Sequence, residues 1–346
     1  MSAKFKSLTQ PFSNSIHING KDYLYFGGTA YLGIPQNQAF IDLYIEGIKK
    51  FGLNNGTSRN NNIQLGIYSE AEKIAAYRFK AEDALVTSSG YLAAQLTVKE
   101  LSSFGNMLYA PGSHPALWLE TQMDALMSFK EWAVKTVETI NSSPDKNWVL
   151  ISNSMNNLIP EIYDFDFLKS VDKDKKIILI VDDSHGIGVN NNGLGAFSNL
   201  PELENIENVV VASMAKALGV DAGLVLASSK IISQLKNTST FIGASPPSAA
   251  GLYAFILGEK IYQKALKELK DNILSFQTAA NLAWKFELDF PVFLLGDADL
   301  AEKLLQKQIL ISSFPYPTPS DKLLNRIVLS SWHTESNIAT LISALL

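Results

Sequence analysis

The chain has 346 residues, 47% of them hydrophobic and none a cysteine, and its 29 basic and 34 acidic side chains leave a net charge of −5. That is enough apolar material for a core of normal size, expected as one large and one smaller domain. The missing thiol excludes disulfides, thiolate metal sites and a cysteine nucleophile, and no block of Lys or Arg marks a nucleic-acid footprint, so nucleic acid is not an expected partner.

The first residues, MSAKFKSLTQPFSN, lack the apolar core of a signal peptide. The longest apolar region, 207–227, is interrupted by Lys216 and Asp221, so no membrane span is expected and a soluble, cytoplasmic protein is. Along the chain, 37–51 spaces its apolar residues as a helix that Gly52 stops, and 69–80 follows as a second. DALVTSS (83–89) predicts a strand running into a helix that opens at Gly90, and NMLYA (106–110) another strand. SHPALWLETQMDAL predicts a helix with Ser113 as N-cap.

NWVLISNS (147–154), KIILIVDD (176–183), NVVVAS (208–213) and GLVLASS (223–229) are the clearest strands, continuous enough for a parallel sheet covered on both faces. Beyond Ser245 the pattern predicts long helix with few breaks after Pro246 and Pro247, then short strands PVFLL and NRIVLS with helices at 298–307 and 335–345. The fold class is therefore α/β, a mostly parallel sheet with helices on both faces plus a smaller α+β C-terminal domain. Its expected bounds are 1–36 for an N-terminal arm or part of the small domain, 37–250 for the large domain and 251–346 for the small one.

In an open parallel sheet, ligands bind beyond the carboxyl ends of the strands. IILIVDDSHGIG (177–188) puts Asp182, Asp183 and His185 at such an end. These residues suit a turn cap, and carboxylate with imidazole also suits a divalent ion. Against a metal, His17, His114 and His333 form no paired ligand motif, so none is expected. A third reading couples Asp182 to Lys216, in VVVASMAKALG at a neighbouring strand end, where desolvation makes an amine nucleophilic. Alone, Lys216 is better read as a snorkelling surface lysine, and SMAK also matches the Ser-x-x-Lys of penicillin-recognising enzymes, without the Ser-Asp-Asn and Lys-Thr-Gly elements that should follow.

Pyridoxal phosphate (PLP) needs a lysine for its aldehyde and an acidic partner for its ring nitrogen, which Lys216 and Asp182 could supply. Its phosphate needs donors, and TSSGYLAAQ (87–95) is a Ser-Gly turn opening a helix, with Ser89, Gly90 and Tyr91 at the positive end of the dipole. His114, after the next strand, could lie over the ring or be an ordinary capping residue.

The order of these elements resembles the α-oxoamine synthase family of fold-type-I PLP enzymes, the group of 8-amino-7-oxononanoate synthase and 2-amino-3-ketobutyrate CoA ligase. AYLGI (30–34), GTSR (56–59), AEDALVTSSGYLAAQ (81–95), GSHPAL (112–117), VDDSHGIGVNNNGLGAF (181–197) and SMAKALGVDAG (213–223) are similar to its segments. The resemblance implies a seven-stranded sheet and a Schiff base on Lys216. It also implies Asp182 on the ring nitrogen, His185 on the phenolic oxygen and His114 stacked over the ring. Ser154 would touch the cofactor, and Ser213, with Ser89, Gly90 and Tyr91, the phosphate. Arg326 would take the amino-acid carboxylate.

The implied reaction condenses an amino acid with an acyl thioester, on CoA or a carrier protein. It would run in a homodimer in which STFIGASPP (239–247) reaches to the partner. Another PLP reaction, such as aminotransfer or an aldolase-type cleavage, and a non-catalytic homologue are the alternatives. The chain departs from the family pattern at Thr29 and Ala30 (for Asn-Asp), Tyr68 (for His), near Ile151 (for an acidic residue) and at Phe314 in FPYPTP, which lacks the usual arginine.

Overall fold

The computed structural model describes residues 5–120, 127–279, 284–315 and 323–346. In chain order, β1 (Ser15–Ile18) and β2 (Lys21–Phe26) pair as a hairpin, and α1 (Gln38–Phe51) opens at Asn37, whose side chain accepts from the Phe40 amide. Then come α2 (Ile67–Phe79), β3 (Asp83–Thr87), α3 (Gly90–Leu101), β4 (Asn106–Tyr109) and α4 (Phe129–Ser142), the last opened by a Ser128–Glu131 capping box. After them lie β5 (Asn147–Asn153), the two-residue β6 (Met155–Asn156) and β7 (Glu161–Ile162), β8 (Lys176–Asp182), β9 (Ile206–Ser213) and β10 (Gly223–Ala227). Helices α5 (Ser229–Lys236), α6 (Ser239–Gly243), α7 (Ala249–Leu257) and α8 (Glu259–Gln277) follow. The rest is β11 (Lys285–Phe286), β12 (Val292–Leu295), α9 (Leu300–Gln306), β13 (Ile309–Pro315), β14 (Leu323–Val328) and α10 (Glu335–Leu345).

The predicted strands between 83 and 227 form one sheet in the order β3-β10-β9-β8-β5-β4. It has six strands among the described residues, where the resemblance implied seven. Strands β4, β5, β8 and β9 are parallel, while β10 runs antiparallel to both β9 and β3. Alternate residues go to opposite faces. Leu150, Leu179, Val181 and Val210 join the core under α1, α2, α7 and α8, whereas Val149, Ile178, Ile180 and Val209 join the core under α3 and α5. Both faces are covered, which is why these strands read as unbroken apolar runs.

A second sheet, β1-β2-β13-β14-β12-β11, unites strands from both ends of the chain. The helix expected from Ser113 is instead a single 3₁₀ turn, Pro115–Leu117, and residues 121–126 of that prediction lie outside the described ones. The carbonyls of Ala116 and Trp118 accept from the Gln95 side chain, each at 2.8 Å. Those acceptors are therefore taken by a neighbouring helix. The long helix after the prolines is two, α7 and α8, separated at Gly258.

His333 ties the second sheet together. Its Nδ1 accepts from the Ser330 amide at 2.9 Å, its Nε2 donates to the Tyr25 carbonyl at 2.9 Å, and its ring stacks on Phe26 at 4.3 Å. Burial pushes this imidazole down from 6.5 to about 4, against the pull of its two backbone hydrogen bonds. Below 6.5 the unfolded chain takes up a proton that the folded chain refuses, so this contribution to stability is complete above 6.5 and lost as the pH falls toward 4. NMR titration of the ring should find it neutral down to about pH 4; a midpoint near 6.5 would break the argument.

Candidate active site

The carboxyl ends of β5 and β8 stand level, and β9 runs two residues beyond them. Asn153 pairs with Asp182 across β5 and β8, and Asp182 with Val211 across β8 and β9. Beyond them opens a cavity of about 480 Å³ whose wall includes His114, Asn153, Asp182, Ser184, His185 and Lys216. Four residues singled out from the sequence, separated by up to 102 positions, thus meet in one place.

Lys216 sits in the loop between β9 and β10, which is pinned by Met214 N to Ala222 O (2.9 Å) and Val220 N to Met214 O (3.1 Å). The loop turns at Gly219, with φ 64°, where a Cβ would stand 2.4 Å from the Ile34 side chain. Burial lowers the Lys216 amine, and the nearby charge of Asp182 partly restores it. One Asp182 oxygen accepts from the Ser184 amide at 2.9 Å, and the Ser184 hydroxyl accepts from the Ser213 amide at 2.8 Å. The ends of β8 and β9 are thereby tied.

His185 Nδ1 lies 2.8 Å from the Tyr31 hydroxyl. Burial first, then the charges of Lys216, Arg326 and His114, hold this imidazole well below its ordinary range, so it is neutral. His114 is exposed at the mouth. Its amide donates to Asn153 Oδ1 at 3.0 Å and its Nδ1 accepts from the Ala116 amide at 3.1 Å. Asn153 in turn donates to the Gly112 carbonyl at 2.7 Å.

Ser89, Gly90, Tyr91 and Ser213 flank this cavity rather than line it. A Cβ on Gly90 would lie 2.6 Å from the Ser213 Cβ, so only glycine lets the start of α3 press against the end of β9. Ser89 caps α3 by accepting from the Leu92 amide at 3.2 Å, and the first amides of the helix have no partner within it. Arg326, on β14 opposite Leu294 and Ser312, is buried with its Nε unpartnered among the described residues. Burial lowers it, and the Tyr31 phenol opposes that shift.

Ser154 does not line this cavity. It is buried in a separate cavity of about 250 Å³ with Asp183 and Asn190, and its hydroxyl approaches Asp183 without a well-formed hydrogen bond. The pleat accounts for this placement: Asn153 and Ser154 point opposite ways, and Asn153 takes the wall beside Asp182. Asn153, Ser184 and Tyr31 are site residues that sequence reasoning did not assign. Strand parity could have found Asn153; Tyr31 stands in the AYLGI segment, but nothing local links it to a partner 154 positions away.

The family departures lie around this centre. Ala30 accepts from the Ser330 hydroxyl at 2.7 Å, and Ile151 is wholly buried in β5. The Tyr68 ring lies 4.9 Å beneath the Arg59 guanidinium, which also reaches Glu72 at 3.2 Å. Phe314 pairs with Leu324 on β14, and 316–319 lie outside the described residues. Among the described residues no group of three or more His, Asp or Glu side chains could hold a metal ion, and no helix is long and apolar enough to cross a membrane.

The family described as aminotransferase class I and II matches residues 36–345. Among curated proteins, a putative 8-amino-7-oxononanoate synthase of Methanococcus aeolicus is 27% identical over 93% of this chain and 89% of its own length. The 8-amino-7-oxononanoate synthase of Petrotoga mobilis is 25% identical over 93% and 87%. Among solved structures, a lysine-to-alanine variant of a serine palmitoyltransferase from S. paucimobilis with a bound PLP–myriocin aldimine superposes with a TM-score of 0.81 at 17% identity, covering 98% of this chain and 90% of that one. The 8-amino-7-oxononanoate synthase of Francisella tularensis gives 0.67 at 19%, covering 93% and 96%. At such identity the likeness is one of fold.

The two adjacent aspartates behave differently. Asp183 is buried, with one oxygen accepting from the Ala196 amide at 2.8 Å, and burial pushes its carboxyl up from 3.8 to about 7. Between those values the folded chain keeps a proton that the unfolded chain has lost, so the contribution is full below 3.8 and disappears as the pH rises through 7. Denaturation of Asp183→Asn beside the parent should show the variant gaining relative stability as the pH is raised from about 4 to about 7. A constant difference across that range would refute the assignment.

Proposed function

The chain belongs to the aminotransferase class I and II family, and on that premise we propose that it is a PLP-dependent C-acyltransferase of the α-oxoamine synthase type, condensing an amino acid with an acyl thioester. The observation that carries this reading is the shared cavity of Lys216, Asp182, His185 and His114. Curated relatives named as 8-amino-7-oxononanoate synthases over some nine-tenths of the chain support it.

The residues fit the cofactor. The Gly90–Ser213 approach makes a backbone cradle at a helix N-terminus, suited to a phosphate. A desolvated amine and a carboxylate stand together at the strand ends. When bound, PLP supplies an electron-poor ring that accepts the electron pair left at the substrate's α-carbon. Lys216 would hold the aldehyde carbon and, once displaced, take the α-proton, a task its lowered basicity suits.

Asp182 would keep the proton on the ring nitrogen, His185 would address the phenolic oxygen, and His114 would cover the ring face. Arg326, a buried cation with an unpartnered Nε, would receive the substrate carboxylate. The segment 239–247, whose residues 245–247 border with 54–58 a surface pocket of about 530 Å³, would meet the partner in a homodimer. Sedimentation of the holoprotein should give twice the chain mass; a fully active monomer would overturn that part.

Purified protein loaded with PLP should show a visible absorption band that Lys216→Ala lacks, and free CoA should appear only when an amino acid and an acyl-CoA are both present. A protein that stays colourless with PLP sinks the enzyme reading, and product formed from the amino acid alone sinks the acyl transfer. Asp182→Ala should cut turnover at least about 100-fold, whereas Asp183→Ala should chiefly lower the melting temperature.

A further inference from the structure

We infer that Tyr31 is a positioning residue that sets the tautomer of His185, so that the imidazole presents Nε2–H to the cavity. The Tyr31 hydroxyl lies 2.8 Å from His185 Nδ1 and, among the described residues, has no other hydrogen-bond partner. The side chain is fully buried, and burial raises the phenol above its ordinary range, so the oxygen keeps its proton. A buried O–H has to find an acceptor, and Nδ1 is the one within reach. The proton on the neutral ring then belongs to Nε2, which makes no hydrogen bond among the described residues.

The phenol is well held. Its ring meets the edge of Phe290 at 5.5 Å, its carbonyl accepts from the Ser331 amide at 3.0 Å, and the preceding carbonyl, of Ala30, accepts from the Ser330 hydroxyl at 2.7 Å. Four residues around the imidazole, Lys216, Arg326, His114 and Asp182, carry or can carry charge, and the cationic ones disfavour a second proton on the ring. Resting on the PLP reading above, this tautomer makes His185 a donor toward the cofactor's phenolic oxygen. With the other tautomer, a lone pair would face that oxygen.

The decisive measurement needs no cofactor. Long-range ¹⁵N–¹H spectra of the cofactor-free protein, with His185 assigned by loss of its signals in His185→Gln, should show protonated Nε2 and a bare, hydrogen-bonded Nδ1. In Tyr31→Phe, which keeps the ring and loses the hydroxyl, both tautomers should be populated. An Nδ1–H form in the parent, or an unchanged spectrum in the variant, overturns the inference. Incorporating 3-fluorotyrosine, a stronger donor of the same shape, gives a second test that does not depend on the variant folding: the His185 Nδ1 resonance should move, while those of His17, His114 and His333 stay. A His185 signal that also stays refutes the contact. In the PLP-loaded enzyme, Tyr31→Phe should lower kcat about fivefold with KM for the amino acid within about twofold. Failure to bind PLP would defeat the proposed function while leaving the tautomer result standing.

Discussion

The register of β8 between β5 and β9 is the constraint on which the site depends. Five consecutive residues, Ile177 to Val181, are buried, and they alternate between two cores that are both closed by helices. A slip of one residue would exchange those faces. It would also exchange Asp182 and Asp183, setting the buried carboxyl toward the cavity and the open one beneath the 186–196 loop. The Ser184–Ser213 bond then carries the same register across to β9. Lys216, three residues past that tie, is located by the same constraint.

Charge around the cavity is unevenly matched. Lys216 and Arg326 are both made less basic by burial, His185 is kept neutral, and Arg326 Nε has no partner among the described residues. Buried cations without full compensation cost stability. Such a cost persists in a fold when something anionic offsets it on binding, and the two anions of the proposed chemistry, a phosphate at the α3 terminus and a carboxylate at Arg326, have that sign. The arrangement therefore suits anion binding at some cost in stability.

Much of this was legible in the sequence, because unbroken β-branched runs ending in polar residues announce both the sheet and its reactive edge. What escaped has physical causes. The direction of β10 is invisible, since a run buried on both faces looks alike parallel or antiparallel. The helix expected after Ser113 depended on local pattern, yet a glutamine 18 positions earlier, Gln95, holds the carbonyls that helix needs. One step of the pleat separates Ser154 from Asn153, and residue type alone does not say which of the two lines the cavity. Tyr31 could not be paired with His185 from sequence, because their contact joins an N-terminal loop to a strand end through tertiary packing alone.

The departures from the α-oxoamine synthase pattern acquire meaning from where they fall. Tyr68 lies under Arg59, whose partner Glu72 also binds Lys236 at 2.8 Å and the Val86 amide at 3.2 Å. This buried carboxylate thus joins α2, β3 and α5 through several satisfied contacts, a network in which losing one partner strands the others. Ile151 is enclosed in β5, and Ala30 engages Ser330 through its backbone, which any side chain would allow. None of these positions borders Lys216 or Asp182 in the cavity wall. These departures therefore leave the amine and the carboxylate in the places that strand register gives them.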